Sequence, residues 1–359
     1  WAKRAMHCSH RGVVGQWRQM AQRLGQCMPN PIPMRPVPTL CSQCPSAPMR
    51  TNILPAPSMN TPDKPPTLDP AAASRWANRP LPTSPWLHEE VARRMQERLD
   101  LIVLQPQAWA DWEPWRGGAQ AHQALRVRYP QAAVWQVLAQ AEEARQLQAQ
   151  SASAWWQPSR WTGPKVQQGQ PPAGAVQMVW ANMLLHQVAD PQALIGLWHR
   201  ALAVDGFLMF SCLGPDSLRE LRAVHAAMAW PAPTHEFTDM HDWGDMLVQA
   251  GFAEPVMDME RITLTFETPE RLLQELRGLG RNLYTGRFAG LRGRGWQRQW
   301  LQAVAEHGER DQDGRLKLTF EVIYGHALRP QPRTKMLPES QIGLADMRQM
   351  LAQRRPGQP

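Results

Sequence analysis

Three groups of side chains in this sequence have the types and spacing for chemistry or recognition. The first is cationic: Arg277 to Gln299 holds six arginines (Arg277, Arg281, Arg287, Arg292, Arg294 and Arg298), six glycines and no acid, with Tyr284 and Phe288 between them. Such a segment steers and holds an acidic partner surface, or is simply a solvated mobile loop. Nucleic acid is the weaker partner reading, because stacking residues are few and the rest of the folded region is near neutral. In the second group, Asn182 and His186 come directly after the apolar run Val176 to Trp180. If that run is a buried strand, they stand at its carboxyl end, where open α/β sheets bind ligands. His186 equally suits a helix-flanking residue satisfied by a backbone contact. The third group, Cys8, Cys27, Cys41 and Cys44, has the ligand type of a metal site, but a lone Cys-x-x-Cys is a weak signal and the other two cysteines lack a pairing spacing.

The elements that must position Asn182 and His186 read as strand, helix, strand. Asp190-Pro191 supplies a helix start, and Leu194, Ile195, Trp198, Ala201 and Leu202 share one face of that helix. Asp205-Gly206 then turns the chain into a second apolar strand, Phe207 to Phe210, and two buried parallel strands need such a crossover. Upstream, Leu87, Val91, Met95, Leu99 and Ile102 recur at helical spacing after Ser84-Pro85. Ala108 to Trp112 is the first strand, Ala119 to Tyr129 a helix, Ala132 to Leu138 the second strand and Gln140 to Gln150 a helix, and Ser151 to Pro172 hides a short third strand. Downstream, Asp239 caps a helix to Ala250, Val256 to Phe266 alternates as a strand, and Thr268-Pro269-Glu270 caps a leucine-striped helix. Leu316 to Tyr324 is the last strand. The pattern predicts a Rossmann-like α/β sheet, mostly parallel, with helices on both faces. A helical lid is expected from Leu218 to Ala229 and Leu272 to Gln299.

Composition divides the 359 residues unevenly: the first 85 hold 16 of the 34 prolines and four of the five cysteines. Trp1 to Ser58 carries seven basic residues and no acid, leaving 32 basic against 31 acidic residues from Met59 onward, a balance of +1. The sequence pI of 9.7 therefore reflects the leader. Residues 1–84 read as a disordered or misassigned leader, 85–330 as the domain, and 331–359 as a tail with a short helix over Leu344 to Arg354. A basic amphipathic stretch from Val13 to Leu24 leaves an organellar transit peptide as another reading of the leader. No apolar run is long enough for a membrane span. Cys212 stands alone in the domain, which points to a reducing compartment and a cytoplasmic protein without disulfides or a bound metal.

The tract Trp180 to Val188, the helix after it and the Val204 to Phe210 turn and strand resemble the fourth and fifth strands of class I S-adenosylmethionine-dependent methyltransferases. Gly214 to Leu221 (Gly-Pro-Asp-Ser-Leu-Arg-Glu-Leu) and Leu318 to Gly325 (Leu-Thr-Phe-Glu-Val-Ile-Tyr-Gly) narrow the match. Together they are similar to the malonyl-acyl-carrier-protein O-methyltransferases of biotin synthesis, over roughly Ala72 to Pro330. The resemblance implies S-adenosylmethionine as cofactor and the free carboxylate of a malonyl thioester as the methyl acceptor. It implies an acyl carrier protein as partner, met by Arg287, Arg292 and Arg294. An ionised carboxylate attacks a sulfonium methyl unaided, so no catalytic acid, base or metal is required.

The same resemblance places cofactor-binding residues at Asp111, Glu113, Gly117, Asn182 and His186. In the family the loop after the first strand reads Asp-x-Gly-x-Gly-x-Gly, so that the backbone can approach the cofactor and turn into a helix. Here Asp111 and Gly117 match, whereas Glu113 and Trp115 replace the first two glycines. Val137 to Gln140 lacks the family's acid for the ribose hydroxyls. If the loop keeps the family path, Trp115 fills the cofactor volume and Glu113 repels the cofactor's carboxylate. The protein is then a catalytically degenerate binding or assembly partner. If the loop is rebuilt, Trp115 or Trp112 stacks on the adenine and Glu113 takes over the ribose hydroxyls, and the methyltransferase stands.

Overall fold

Seven strands form one sheet in a computed structural model that describes residues 68–151, 166–288 and 290–332. The order is β3-β2-β1-β4-β5-β7-β6, built from β1 (Ala108–Trp112), β2 (Ala133–Val137), β3 (Val166–Gln168), β4 (Val176–Ala181), β5 (Leu202–Leu213), β6 (Ala253–Phe266) and β7 (Leu316–Leu328). The pairings among β1 to β5 are parallel, and β7 joins β5 and β6 antiparallel. The expected mostly parallel Rossmann-like sheet is therefore present. β3, inferred only as a strand hidden in a loop, pairs with β2.

Both faces of the sheet are covered, which explains why the central strands are apolar runs. Trp109, Met178 and Phe207 pack on one face against Leu87, Val91 and Met95 of α2 (Trp86–Arg98) and Leu125 of α3 (Pro114–Arg128). Ala110, Val179 and Leu208 point the other way, toward Ile195 and Trp198 of α5 (Pro191–Ala201) and Trp243 of α7 (Met240–Gln249). Asp190 caps α5 as its sequence suggests, accepting from the Ala193 N–H at 2.9 Å. α4 (Ala141–Ser151) comes after β2. The lid consists of α6 (Arg219–Ala227), α8 (Pro269–Leu279) and α9 (Arg294–His307), which pack on one another beside β7. No helix among the described residues is long and apolar enough to cross a membrane.

Two sequence expectations need correction. Residues 68–84 read as part of the disordered leader, yet they are folded: α1 (Pro70–Ala77) is capped by Asp69 and buries Ala72, Ala73 and Trp76. Their partners are Trp115, Ala119, Leu147 and Leu283, so a short helix in a proline-rich context is held by tertiary burial rather than by propensity. Second, the helix expected over Ala119 to Tyr129 begins earlier, at Pro114, and kinks at Gly118, where φ is 138°. A Cβ on Gly118 would lie 3.1 Å from Glu89 Oε2 and 3.2 Å from the Ala92 Cβ, so α2 and α3 cross there as closely as a glycine permits. The N-terminal cysteines, Val13 to Leu24 and Leu344 to Arg354 lie outside the described residues.

Candidate active site

Strand order reverses between β1 and β4, since β2 lies on one side of β1 and β4 on the other. The crevice at their carboxyl ends is the topological switch point where ligands bind in such sheets. Asp111, Glu113, Gly117 and Asn182 meet at this edge.

Asn182 is buried and its side chain is fully engaged. Its Nδ2 donates to the carbonyl oxygens of His88 (2.8 Å) and Gly117, and its Oδ1 accepts from Ser211 Oγ at 2.6 Å. The residue thus ties β4 and β5 to α2 and the first turn of α3. Gly117 has the space for nothing larger, since a Cβ would stand 3.1 Å from the Asn182 carbonyl oxygen. Asp111 faces inward: its carboxylate accepts from His122 Nδ1 at 2.7 Å, and Gln136 Nε2 donates to His122 Nε2 at 3.0 Å. Burial raises the Asp111 carboxyl above its ordinary range.

Glu113 takes the left-handed backbone (φ 56°) at the family's first glycine position. Its N–H donates to the Val137 carbonyl at 2.8 Å, and its Oε1 accepts from the Ala139 N–H at 2.9 Å. The carboxylate therefore lies at the end of β2, where the sequence offers no acid of its own. Its Oε2 is closed off from solvent and accepts from no donor among the described residues. Burial, joined by the charge of Glu143, pushes Glu113 up to about 7. Glu143 pairs with Arg116 at 3.1 Å and accepts from the Leu81 N–H at 3.1 Å. Trp115 is pinned beneath α1, with Nε1 donating to the Leu81 carbonyl at 2.9 Å and its ring among Trp76, Leu81 and Leu147.

S-adenosylmethionine, which the sequence resemblance implies, presents a vicinal ribose diol, and this edge fits it at one point. An unpartnered carboxylate oxygen at the end of β2 is an acceptor of the kind a diol satisfies. Left-handed backbone at Glu113 also gives the turn that the family makes with glycine, at a cost of about 1–2 kcal/mol for a side-chain-bearing residue.

His186 sits in the turn Leu185–Gln187 beyond β4 and lines a cavity of about 120 Å³ under the lid. Its Nδ1 accepts from the Leu213 N–H at 3.3 Å, while His235 Nε2 donates to the His186 carbonyl at 2.9 Å. Burial holds His186 well below the ordinary histidine range and His235 at about 4, so both rings are neutral at neutral pH. Leu218, Leu276, Leu279 and Phe320 supply apolar walls, and no carboxylate lines the cavity among the described residues. His235 and Gln187 have no pattern in the sequence that singles them out. Arg281 also lines the cavity, and the sequence reading groups it with five other arginines without distinguishing it.

The arginines assigned to a partner are not equivalent. Arg287 is spent on Asp69 at 2.5 Å and on the Tyr284 carbonyl, so it anchors the cap of α1. Arg292 lies over the Trp296 ring at 3.6 Å, and Arg294 opens α9.

No family model matches the chain. It is 39% identical over 261 residues to the malonyl-acyl-carrier-protein O-methyltransferase of Laribacter hongkongensis, spanning 70% of this chain and 86% of that protein. The protein of the same name from Gallionella capsiferriformans is 40% identical over 256 residues, with 69% of this chain and 85% of the relative covered. Among solved structures, the YcgJ protein of Bacillus subtilis aligns with 67% of this chain and 99% of its own at 13% identity and a TM-score of 0.45, too slight a likeness to add to the sheet order.

Proposed function

Because the chain belongs to the malonyl-acyl-carrier-protein O-methyltransferases, we propose that it esterifies the free carboxylate of a malonyl thioester carried by an acyl carrier protein. The observation that carries this reading is identity of 39% and 40% to two such proteins over 86% and 85% of their lengths. S-adenosylmethionine, when bound, supplies the electrophilic methyl. Glu113 would hold its ribose hydroxyls. The rest of the work is positioning: the malonyl carboxylate is ionised at neutral pH and needs no base, so the chain must orient it and exclude water. The apolar cavity under the lid suits that role, and its neutral imidazoles neither protonate nor repel the nucleophile. The test is methyl transfer from labelled S-adenosylmethionine to malonyl-acyl-carrier protein, with acetyl-acyl-carrier protein as control. Ester formed on the malonyl carrier alone is expected, and its absence with folded protein overturns the reading.

The folded domain is proposed to run from Leu68 to about Pro330, and the cationic face around Arg292 and Arg294 to meet the acidic carrier. Arg287 is the poor choice for testing this face, since Arg287→Glu would set a carboxylate against Asp69. Arg292→Glu with Arg294→Glu is expected to slow carrier association about tenfold at low salt and to lose that effect at high salt. Stopped-flow rates that are equal at both ionic strengths would reject the assignment.

A further inference from the structure

Arg281 is a half-buried cation with no carboxylate within ion-pair distance among the described residues. Its nearest charges are Arg79 and Arg277, which, after burial, help to push it down to about 10. Its hydrogen bonds use Nη1 alone, on the carbonyls of Arg277 and Gly280. The guanidinium is steadied by the Trp76 ring, 5.0 Å from its centre, leaving the Nε and Nη2 edge without a hydrogen-bond partner among the described residues. That edge is the fork that takes a carboxylate through two parallel bonds. Arg281 also stands at a junction, lining both the apolar cavity under the lid and the broad cleft bordered by Arg79, Arg271 and Arg277 together with Glu267 and Glu275. Among the described residues, the cavity offers a bound anion no other cation and no competing acid.

We propose that Arg281 is the residue that reads the free carboxylate of the substrate, so that the site accepts a malonyl thioester and passes over an acetyl thioester of the same carrier. This inference rests on the reading given above. It assigns substrate selection to one guanidinium where the cavity meets the cleft.

Calorimetry of the full chain with malonyl-pantetheine and acetyl-pantetheine measures the selection directly, without turnover. The native protein is expected to bind the malonyl compound at least about tenfold more tightly, consistent with a hydrogen-bonded ion pair. Arg281→Gln should erase that preference and Arg281→Lys should keep part of it, with unchanged melting temperatures showing that both variants fold. A native protein without preference, or an Arg281→Gln variant that keeps it in full, overturns the assignment. Carrier methylation separates the two proposals. Transfer to malonyl-acyl-carrier protein with the same KM in Arg281→Gln leaves the enzyme reading standing and removes Arg281. Arg281-dependent binding without any transfer does the reverse.

Discussion

Replacing Glu113 with alanine is expected to weaken binding of S-adenosylhomocysteine by about a hundredfold, because a carboxylate accepting from two hydroxyls contributes on the order of 3 kcal/mol. Glu113→Gln should lose about tenfold, since the amide still offers one acceptor. The pH dependence has a definite sign. Burial raises the carboxyl to about 7, so the ionised acceptor gains population as pH rises through 7, and affinity should rise with it. Without ligand the same shift works against the fold: the unfolded chain ionises at the ordinary glutamate range while the folded chain keeps its proton, so stability falls between about 4.5 and 7. Changing Glu113 and Trp115 together to glycine is expected to destroy binding rather than restore it. The double variant removes the acceptor and also a buried indole worth about 3–5 kcal/mol. Titration calorimetry from pH 6 to 8 decides: tighter binding in the glycine variant would mean that these side chains occupy the cofactor's place.

The second large effect is expected at Asn182, and in stability rather than affinity. Asn182→Ala removes in a dry interior the donor to the Gly117 and His88 carbonyls and the acceptor of the Ser211 hydroxyl, a loss of about 3–5 kcal/mol. That is a large share of the ~5–15 kcal/mol by which a domain is usually stable. Asn182→Asp is no remedy, because it turns a double donor into an acceptor facing two carbonyls. Urea unfolding measures the drop. A variant with native stability but lost cofactor binding would make Asn182 a ligand contact instead of a staple.

Much of the sheet was legible because apolar runs, proline-capped helix starts and turn residues repeat along the chain. β7 runs past the expected end at Tyr324 because Gly325, which reads as a strand breaker, lies where a Cβ would be 2.1 Å from the Phe210 ring and so lets the strand continue over that aromatic. α1 was not legible: eight residues with little periodicity depend on Trp115 and Leu283, which only folding brings near. At the site, the spacing located the edge but not the direction of its side chains. Glu113 reads as an intruder in a glycine loop until its left-handed backbone swings the carboxylate to Ala139. Asn182 reads as a ligand contact until its hydrogen bonds are counted. His235 gives no warning in sequence, since a lone histidine between Thr234 and Glu236 has no pattern.

The bonds of α1 to the far end of the domain also set an order of assembly on the ribosome. Asp69 pairs with Arg287, 218 residues later in the chain, its N–H donates to the Leu283 carbonyl, and Leu68 bridges to Tyr284. At about 5–20 residues per second, some ~10–40 s of synthesis separate the emergence of the helix from that of its anchor. Through that interval Trp76 and Leu81 lack part of their docking surface. The first described helix of the chain is thus among the last to settle, and the apolar faces it will cover are open to holdase chaperones until the lid has been translated.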